Sequence, residues 1–396
     1  MFNSNLEDDA MSDGILYQNK ESRLWPFRIQ GGEMKTIIQA FTGGFGVPSN
    51  CSDIAENLVL FTVKSAADAV IIGWNTDVKY DKIISKLHGL NKKVYLWIPV
   101  FAEYGNDAIT ALDYLGNRHE NAVSGAVDDF TFACPSETGN IELAVRYYDG
   151  FFSGSGFDGV FLDKIRFSSF GNGFMSGMGC FCRSCCDFYN NEGVDTEVFK
   201  NLMKNDTKDF LIPCARNDMR YIFENVLIDD LFRARAKLIT ASVSKIIDMF
   251  RKKSLEIGLD VFAPTFAYLF GQDIAALANI ADFIKPMIYR VTNAPAGIPY
   301  ESVHMKAEML KNGCDIRDKL ELLWNTVDLA SEECFKNQLM LLKKIPCDVY
   351  SGVEVNRSDI CSTSAAYVTK SIELIKEAEI AGCVLSWNVL EDAVYP

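Results

Sequence analysis

The stretch Gly156-Phe157-Asp158-Gly159-Val160-Phe161-Leu162-Asp163-Lys164-Ile165-Arg166-Phe167 is apolar for most of its length, yet it finishes in a carboxylate, a lysine and an arginine. Its Val, Phe and Leu content, entered through glycines, predicts a strand buried on both faces. Charges at the end of such a strand need a reason. Where parallel strands close into a barrel, the interior is packed solid and the C-terminal rim carries the reactive groups. Asp163 is therefore the first candidate for catalytic chemistry; a rim salt bridge to Lys164 or Arg166 is the plainer alternative.

A second group with chemistry is Cys180-Phe181-Cys182-Arg183-Ser184-Cys185-Cys186. Thiolates separated by one or two residues can converge on Zn²⁺, and a closed structural site takes four ligands. Cys180, Cys182 and Cys185 fit best, with the fourth ligand available from Cys186, Cys214 or His119. The spacing does not suit an iron-sulfur cluster. A buried thiol cluster and a disulfide within the loop are the readings without metal. In every case the cluster is expected to shape a cover above Asp163, so its role is structural.

The elements that must position these groups follow from periodicity. Strands are expected at Thr36–Phe41, Ala69–Trp74, Val94–Val100, Phe157–Asp163, Leu259–Ala263, Asp282–Tyr289, Asp348–Val353 and Cys383–Trp387, with helices between them. Eight alternating units predict an α/β chain folded as a single (β/α)8 TIM barrel over residues 35–396. Residues 1–34 lack sustained periodicity and read as an irregular extension, while 168–216 is too long for an ordinary βα loop and reads as a lid-like insertion after strand 4. A long amphipathic helix is expected from about Asp218 to Glu256, and Leu320–Trp324 reads as helix rather than a ninth strand. The Gly43-Gly44-Phe45-Gly46 turn is followed by no Gly-Lys-Ser/Thr, so it is a flexible loop and not a phosphate cradle.

With the strands in place their C-terminal ends form a set: Trp74 and Asn75, Trp97, Glu103 and Tyr104, Asp163 to Arg166, Pro264 with Tyr268, Tyr289 and Arg290, Glu354 and Asn356, and Trp387 and Asn388. Tryptophan and tyrosine offer a stacking face, and carboxylates, amides and arginine offer paired donors and acceptors. That mixture suits a sugar or oligosaccharide. Aromatic residues also end strands by propensity alone.

Composition narrows the partners. A net charge of -14, from 53 acidic and 39 basic residues, argues against a nucleic-acid or anionic-membrane surface. No run of about 18 apolar residues is present, and Met1 to Gly14 is acidic and polar, so neither a spanning helix nor a secretory signal is expected and the default location is cytoplasmic. Twelve cysteines, one tight cluster and the others scattered singly, fit reduced thiols rather than a disulfide frame. Three histidines, none at a strand end, leave little material for a Ser-His-Asp triad.

Gly156 to Phe167 with Cys180-Phe181-Cys182-x-x-Cys185, Gly258 to Pro264 with Gly271-Gln272-Asp273, and Ile284 to Tyr289 with Pro295-Ala296-Gly297 resemble a group of glycoside-hydrolase-like TIM-barrel proteins, from about Thr36 to the end. More distantly the chain is similar to chitinase-like hydrolase barrels, which carry Asp-Gly-x-Asp-x-Asp-x-Glu on strand 4, Met-x-Tyr on strand 6 and Trp on strand 8. Asp158-Gly159, Asp163, Met287-x-Tyr289 and Trp387 match; Phe161 and Ile165 stand where the middle aspartate and the acid/base glutamate would be. The resemblance implies hydrolysis of a glycosidic bond, and the departures argue against the substrate-assisted chitinase route. A conventional glycosidase needs two carboxylates, so Asp163 requires a partner from another strand. Glu354 is the first choice, as general acid, with Asp163 as nucleophile or electrostatic stabiliser; Glu103 is the second choice. Arg166 and Arg290 could hold a charged sugar such as a uronic acid. The alternatives are a barrel that binds glycans or another ligand without cleaving them, and a metal-dependent hydrolase or lyase on the same rim.

Overall fold

The computed structural model describes residues 34–44, 51–120, 130–388 and 392–393. Eight parallel strands close into a barrel: β1 (Lys35–Phe41), β2 (Ala69–Ile72), β3 (Lys93–Pro99), β4 (Gly159–Asp163), β5 (Glu256–Phe262), β6 (Phe283–Met287), β7 (Asp348–Glu354) and β8 (Gly382–Asn388). Each strand pairs with its neighbours in sequence, and β8 returns to β1 with Ile38 opposite Leu385. Helices lie between the strands, as the alternating pattern predicts.

Side chains alternate along each strand, so every second residue points into the barrel. One set, including Phe161, Tyr95, Phe283, Tyr350 and Val384, fills the interior as a buried plug. Phe161 stacks on Phe283 at 6.0 Å, and Gly258 between them leaves the room they need: a Cβ there would lie 2.2 Å from the Phe283 ring and 2.7 Å from Phe161. The outward set, such as Val160 and Leu162, joins the core beneath the helices. In helix Tyr80–His88 the buried residues Tyr80, Ile83, Ile84 and Leu87 fall on one face at helical spacing.

The lower end of the barrel uses its carboxylates for structure. Asp68, Asp158 and Asp282, each just before an even-numbered strand, accept the backbone N–H of Thr36, Val94 and Ile257 on the preceding odd-numbered strand at 2.7–2.8 Å. Asp158 is thus a structural residue at the end opposite the rim.

Between β4 and the long helix Val226–Arg251 the chain makes short helices at Arg183–Asn191 and Thr196–Leu202 and a two-stranded hairpin, Pro213–Asn217 with Arg220–Phe223. The periodicity of this region predicts helix from Asp218, but Asp218 takes a left-handed φ of +50° and turns the hairpin instead. The helix starts only where Asn225 caps it, accepting from the backbone N–H of Leu227 and Ile228. Leu320 to Leu323 is helical, within Arg317–Leu323, so no ninth strand enters the barrel. The expected irregular extension lies, up to residue 33, outside the described residues.

Candidate active site

Asp163 ends β4 in register with Pro99 of β3. Its Oδ2 accepts the indole N–H of Trp97 at 3.0 Å and its Oδ1 accepts the Lys164 backbone N–H at 2.5 Å. Directly after it the chain turns off the barrel, with Lys164 at a φ of +52° and Glu103, beyond β3, at +76°. Non-glycine residues take such angles only when their surroundings hold them there. Here the holding contact is an ion pair between the Lys164 ammonium and the Glu103 carboxylate, both nearly buried. The Lys164 ammonium also lies 4.5 Å from the centre of the Phe130 ring.

Above Asp163 opens a hollow of about 210 Å³. Asp163, Asp260 and Glu354 all line it, together with Trp97, Arg166, Tyr289 and Asn356. As well as the polar Gln39 and Ser386, the reading of strand ends missed the charged residues Asp260 and Lys285. They sit within β5 and β6, side by side in register, and pair at 3.2 Å with both side chains fully buried. The signal was present in the sequence, because a lone charge inside each of Leu259-Asp260-Val261-Phe262 and Phe283-Ile284-Lys285-Pro286 is costly to bury unless the two meet.

A directed hydrogen-bond circuit forms the floor of the hollow. The Lys285 ammonium donates to the Tyr289 hydroxyl, and the Tyr289 hydroxyl is 2.6 Å from Ser386 Oγ. Ser386 donates to Gln39 Oε1 at 3.3 Å, and Gln39 Nε2 donates to Asp260 Oδ2 at 3.3 Å. Gly352 on β7 makes space for this arrangement, since a Cβ there would lie 2.9 Å from both the Lys285 stem and the Tyr289 ring. Burial pushes the Asp260 carboxyl up to about 7, with the neighbouring Asp163 adding to the rise, and burial lowers the Lys285 ammonium.

Glu354 closes β7. Its Oε1 accepts the Val291 backbone N–H at 2.8 Å and its Oε2 accepts the Tyr367 hydroxyl at 2.7 Å. Burial nevertheless raises its pKa, because the dry setting outweighs the bonds that favour the charged form. Arg166 lies between the rings of Phe132 and Phe262, at 4.7 and 4.4 Å, and donates to the Phe167 carbonyl. Burial lowers its guanidinium to about 10.

The other expected site residues divide clearly. Trp97, Arg166, Tyr289 and Asn356 are on the wall of the hollow. Trp74 is buried behind it, edge-on to Trp97 at 4.9 Å, and offers no stacking face. Arg290 is buried between Phe335 and Tyr367, donates to Ser371 Oγ at 2.7 Å and does not line the hollow. Glu103 serves as the counter-ion of Lys164 and does not line the hollow. The side chains of Trp387 and Asn388 lie outside the described residues. Ile165, at the position of the chitinase-like acid, is fully buried in the core.

Among the cysteines, Cys134, Cys180, Cys182 and Cys185 converge, their sulfurs all within 4.8 Å of one another. The fourth member differs from the expected Cys186, whose sulfur points to the Phe181 carbonyl at 3.3 Å. Cys214 is exposed, bonded to Ile222 O, and His119 is buried outside the cluster, where desolvation lowers its pKa to about 4. None of the four converging sulfurs lines the hollow, so the cluster supplies no metal ligand to the rim. No helix among the described residues is long and apolar enough to cross a membrane.

No protein-family model and no curated protein sequence matches the chain. Solved structures do. The PgaB (BpsB) glycoside hydrolase domain from Bordetella bronchiseptica superposes with a TM-score of 0.55 at 8% identity, covering 89% of this chain and 94% of that one. The catalytic domain of β-amylase from Paenibacillus polymyxa is similar at a TM-score of 0.47 and 9% identity, over 90% and 92% of the two chains. At such identities the likeness concerns the fold: the chain is built on the same closed barrel as glycoside hydrolase domains.

Proposed function

We propose that this chain hydrolyses a glycosidic bond in the hollow above β4, with Asp163 as nucleophile or electrostatic stabiliser and Glu354 as general acid. The observation that carries the reading is that Asp163 and Glu354 line one hollow from strands on different sides of the barrel mouth, beside Trp97 and Tyr289. A glycosidic bond lying between them has a proton donor on one side and a carboxylate on the other. Glu354, its pKa raised by burial, gives its proton to the leaving oxygen. Asp163 attacks the anomeric carbon or stabilises the developing oxocarbenium charge, and water completes the cleavage. The Trp97 N–H fixes the Asp163 carboxylate for this step. Asp260 and Lys285 are positioning residues, holding Tyr289 and the floor through the hydrogen-bond circuit. Arg166 on the wall suits a substrate with an acidic group, such as a uronic acid.

The substrate is a small sugar or oligosaccharide, in keeping with a net charge of -14, which argues against a nucleic-acid or anionic-membrane surface. Hydrolysis of this kind calls on no cofactor, and any zinc on the cysteines is structural. None of the cysteines described is in a disulfide, which suits a reducing, cytoplasmic compartment. A panel of aryl glycosides and oligosaccharides tests the reading: sugar release by the wild-type protein is expected, with loss in Asp163→Asn and in Glu354→Gln.

A second reading is favoured by Ile165, an apolar residue where chitinase-like barrels carry their acid. On that reading the barrel binds a glycan without cleaving it. Oligosaccharides would then raise the melting temperature while no sugar is released.

A further inference from the structure

We propose that Cys134, Cys180, Cys182 and Cys185 hold one structural zinc ion that fastens the loop after β3 to the insertion after β4. Cys134 Sγ lies 3.5 Å from both Cys182 Sγ and Cys185 Sγ, and all four sulfurs fall within 4.8 Å of one another. Four thiolates bound tetrahedrally at about 2.3 Å from zinc stand about 3.8 Å apart, so the sulfurs already surround a point of the right size. A disulfide would bring two of them to about 2 Å, and these four are free. So compact a set has room for one ion and none for the bridging sulfides of an iron-sulfur cluster.

The surroundings match thiolates better than thiols. The Leu112 backbone N–H points at Cys180 Sγ at 3.5 Å, and the Ser136 hydroxyl lies 3.1 Å from Cys185 Sγ. The first is a donor aimed at sulfur and the second can act as one; a metal-bound thiolate recruits such donors around itself. Cys182 is the N-cap of helix Arg183–Asn191, and Cys185 sits in its first turn, where the helix dipole favours negative charge. Cys134 is fixed from the other side, its carbonyl accepting from Asn140 Nδ2 at 2.9 Å and its N–H donating to Ile109 O at 2.9 Å. Four neutral thiols could be buried as small apolar groups, but nothing in that role requires two distant segments to bring sulfurs to one point.

The ion would act on the hollow from outside it. Residues 130–134 carry Phe130 over Lys164 and Phe132 over Arg166, the two cations that follow Asp163. The chain leaving β4 through those cations then runs to Cys180, Cys182 and Cys185. Zinc would close this clasp, and with four sulfur ligands it has no open position for chemistry.

Elemental analysis of the full-length protein, grown with zinc and purified under reductant, tests the assignment without reference to sugar hydrolysis. The wild type is expected to carry about one zinc per chain, Cys134→Ser to fall below about a tenth of that, and Cys186→Ser to keep its zinc. Should Cys134→Ser fail to fold, cobalt loaded into the wild type is expected to give the thiolate-to-metal absorption of a tetrahedral sulfur site, abolished by excess zinc. Stoichiometric iron, a wild type without bound metal, a disulfide among the four, or equal zinc loss in Cys186→Ser would each overturn the proposal.

Discussion

Lys285 and Asp260 stand side by side inside the barrel, the ammonium 3.2 Å from each carboxylate oxygen, with the two side chains 0% and 1% exposed. Asp260 lines the same hollow as Asp163, and the pair anchors the circuit through Tyr289, Ser386 and Gln39. Removing one partner strands a buried charge, which costs about 3–5 kcal/mol, whereas replacing both with apolar side chains of similar volume costs far less. Asp260→Asn and Lys285→Met are each expected to lower the urea midpoint strongly, and Asp260→Leu with Lys285→Met to recover much of the loss. Additive losses in the double variant would mean that the two residues do not act as a pair.

The same residue sets a pH dependence of stability. Burial raises the Asp260 carboxyl from 3.8 to about 7. A carboxyl with a higher pKa in the folded chain holds its proton more tightly there. Its contribution to stability is complete below about pH 4 and is lost as pH rises through about 7. Urea unfolding measured across that window is expected to show stability declining with pH in the wild type and a flatter profile in Asp260→Asn. Identical slopes in the two proteins would remove Asp260 as the source.

Packing inside the barrel gives a prediction independent of charge. Gly258→Ala drives a methyl group into the stacked Phe161 and Phe283 rings, the nearest atom being only 2.2 Å away. Overpacking of this kind costs about 1–3 kcal/mol. A thermal melt is the check; an unchanged melting temperature would show that the rings have room to move.

Trp97 connects the fold to the chemistry. Trp97→Phe keeps an aromatic ring on the wall but removes the N–H that holds Asp163 Oδ2. A hydrogen bond to a charged group contributes about 1.5–3 kcal/mol, so kcat/KM for a cleaved glycoside is expected to fall about 10- to 100-fold. Full activity in this variant would mean that Asp163 is held by other contacts.

The barrel was legible in the sequence because each strand is a short apolar run between helical patterns, and all eight fall within a few residues of their expected places. Asp163 was legible for the same reason, as a charge closing such a run. Asp260 and Lys285 were not, because attention to strand ends passes over charges inside strands, and only register shows that one neutralises the other. Cys134 escaped as a partner of the cysteine cluster because it lies in a different loop, after β3, and folding alone brings it to Cys182 and Cys185. Trp74 and Arg290 were expected on the rim from their positions in the chain, but ring packing against Trp97, Phe335 and Tyr367 turns them into the protein. The hairpin at Pro213–Phe223 hid behind a helical pattern that the left-handed turn at Asp218 interrupts.

The most direct test is the rate of sugar release from glycoside substrates by the wild type, Asp163→Asn and Glu354→Gln, each first shown to be folded by its melting curve. Catalysis by paired carboxylates predicts turnover by the wild type and a loss of about 10²–10⁴-fold in each variant. Wild-type turnover that survives both substitutions, or a wild type that binds oligosaccharides and releases no sugar, would contradict it.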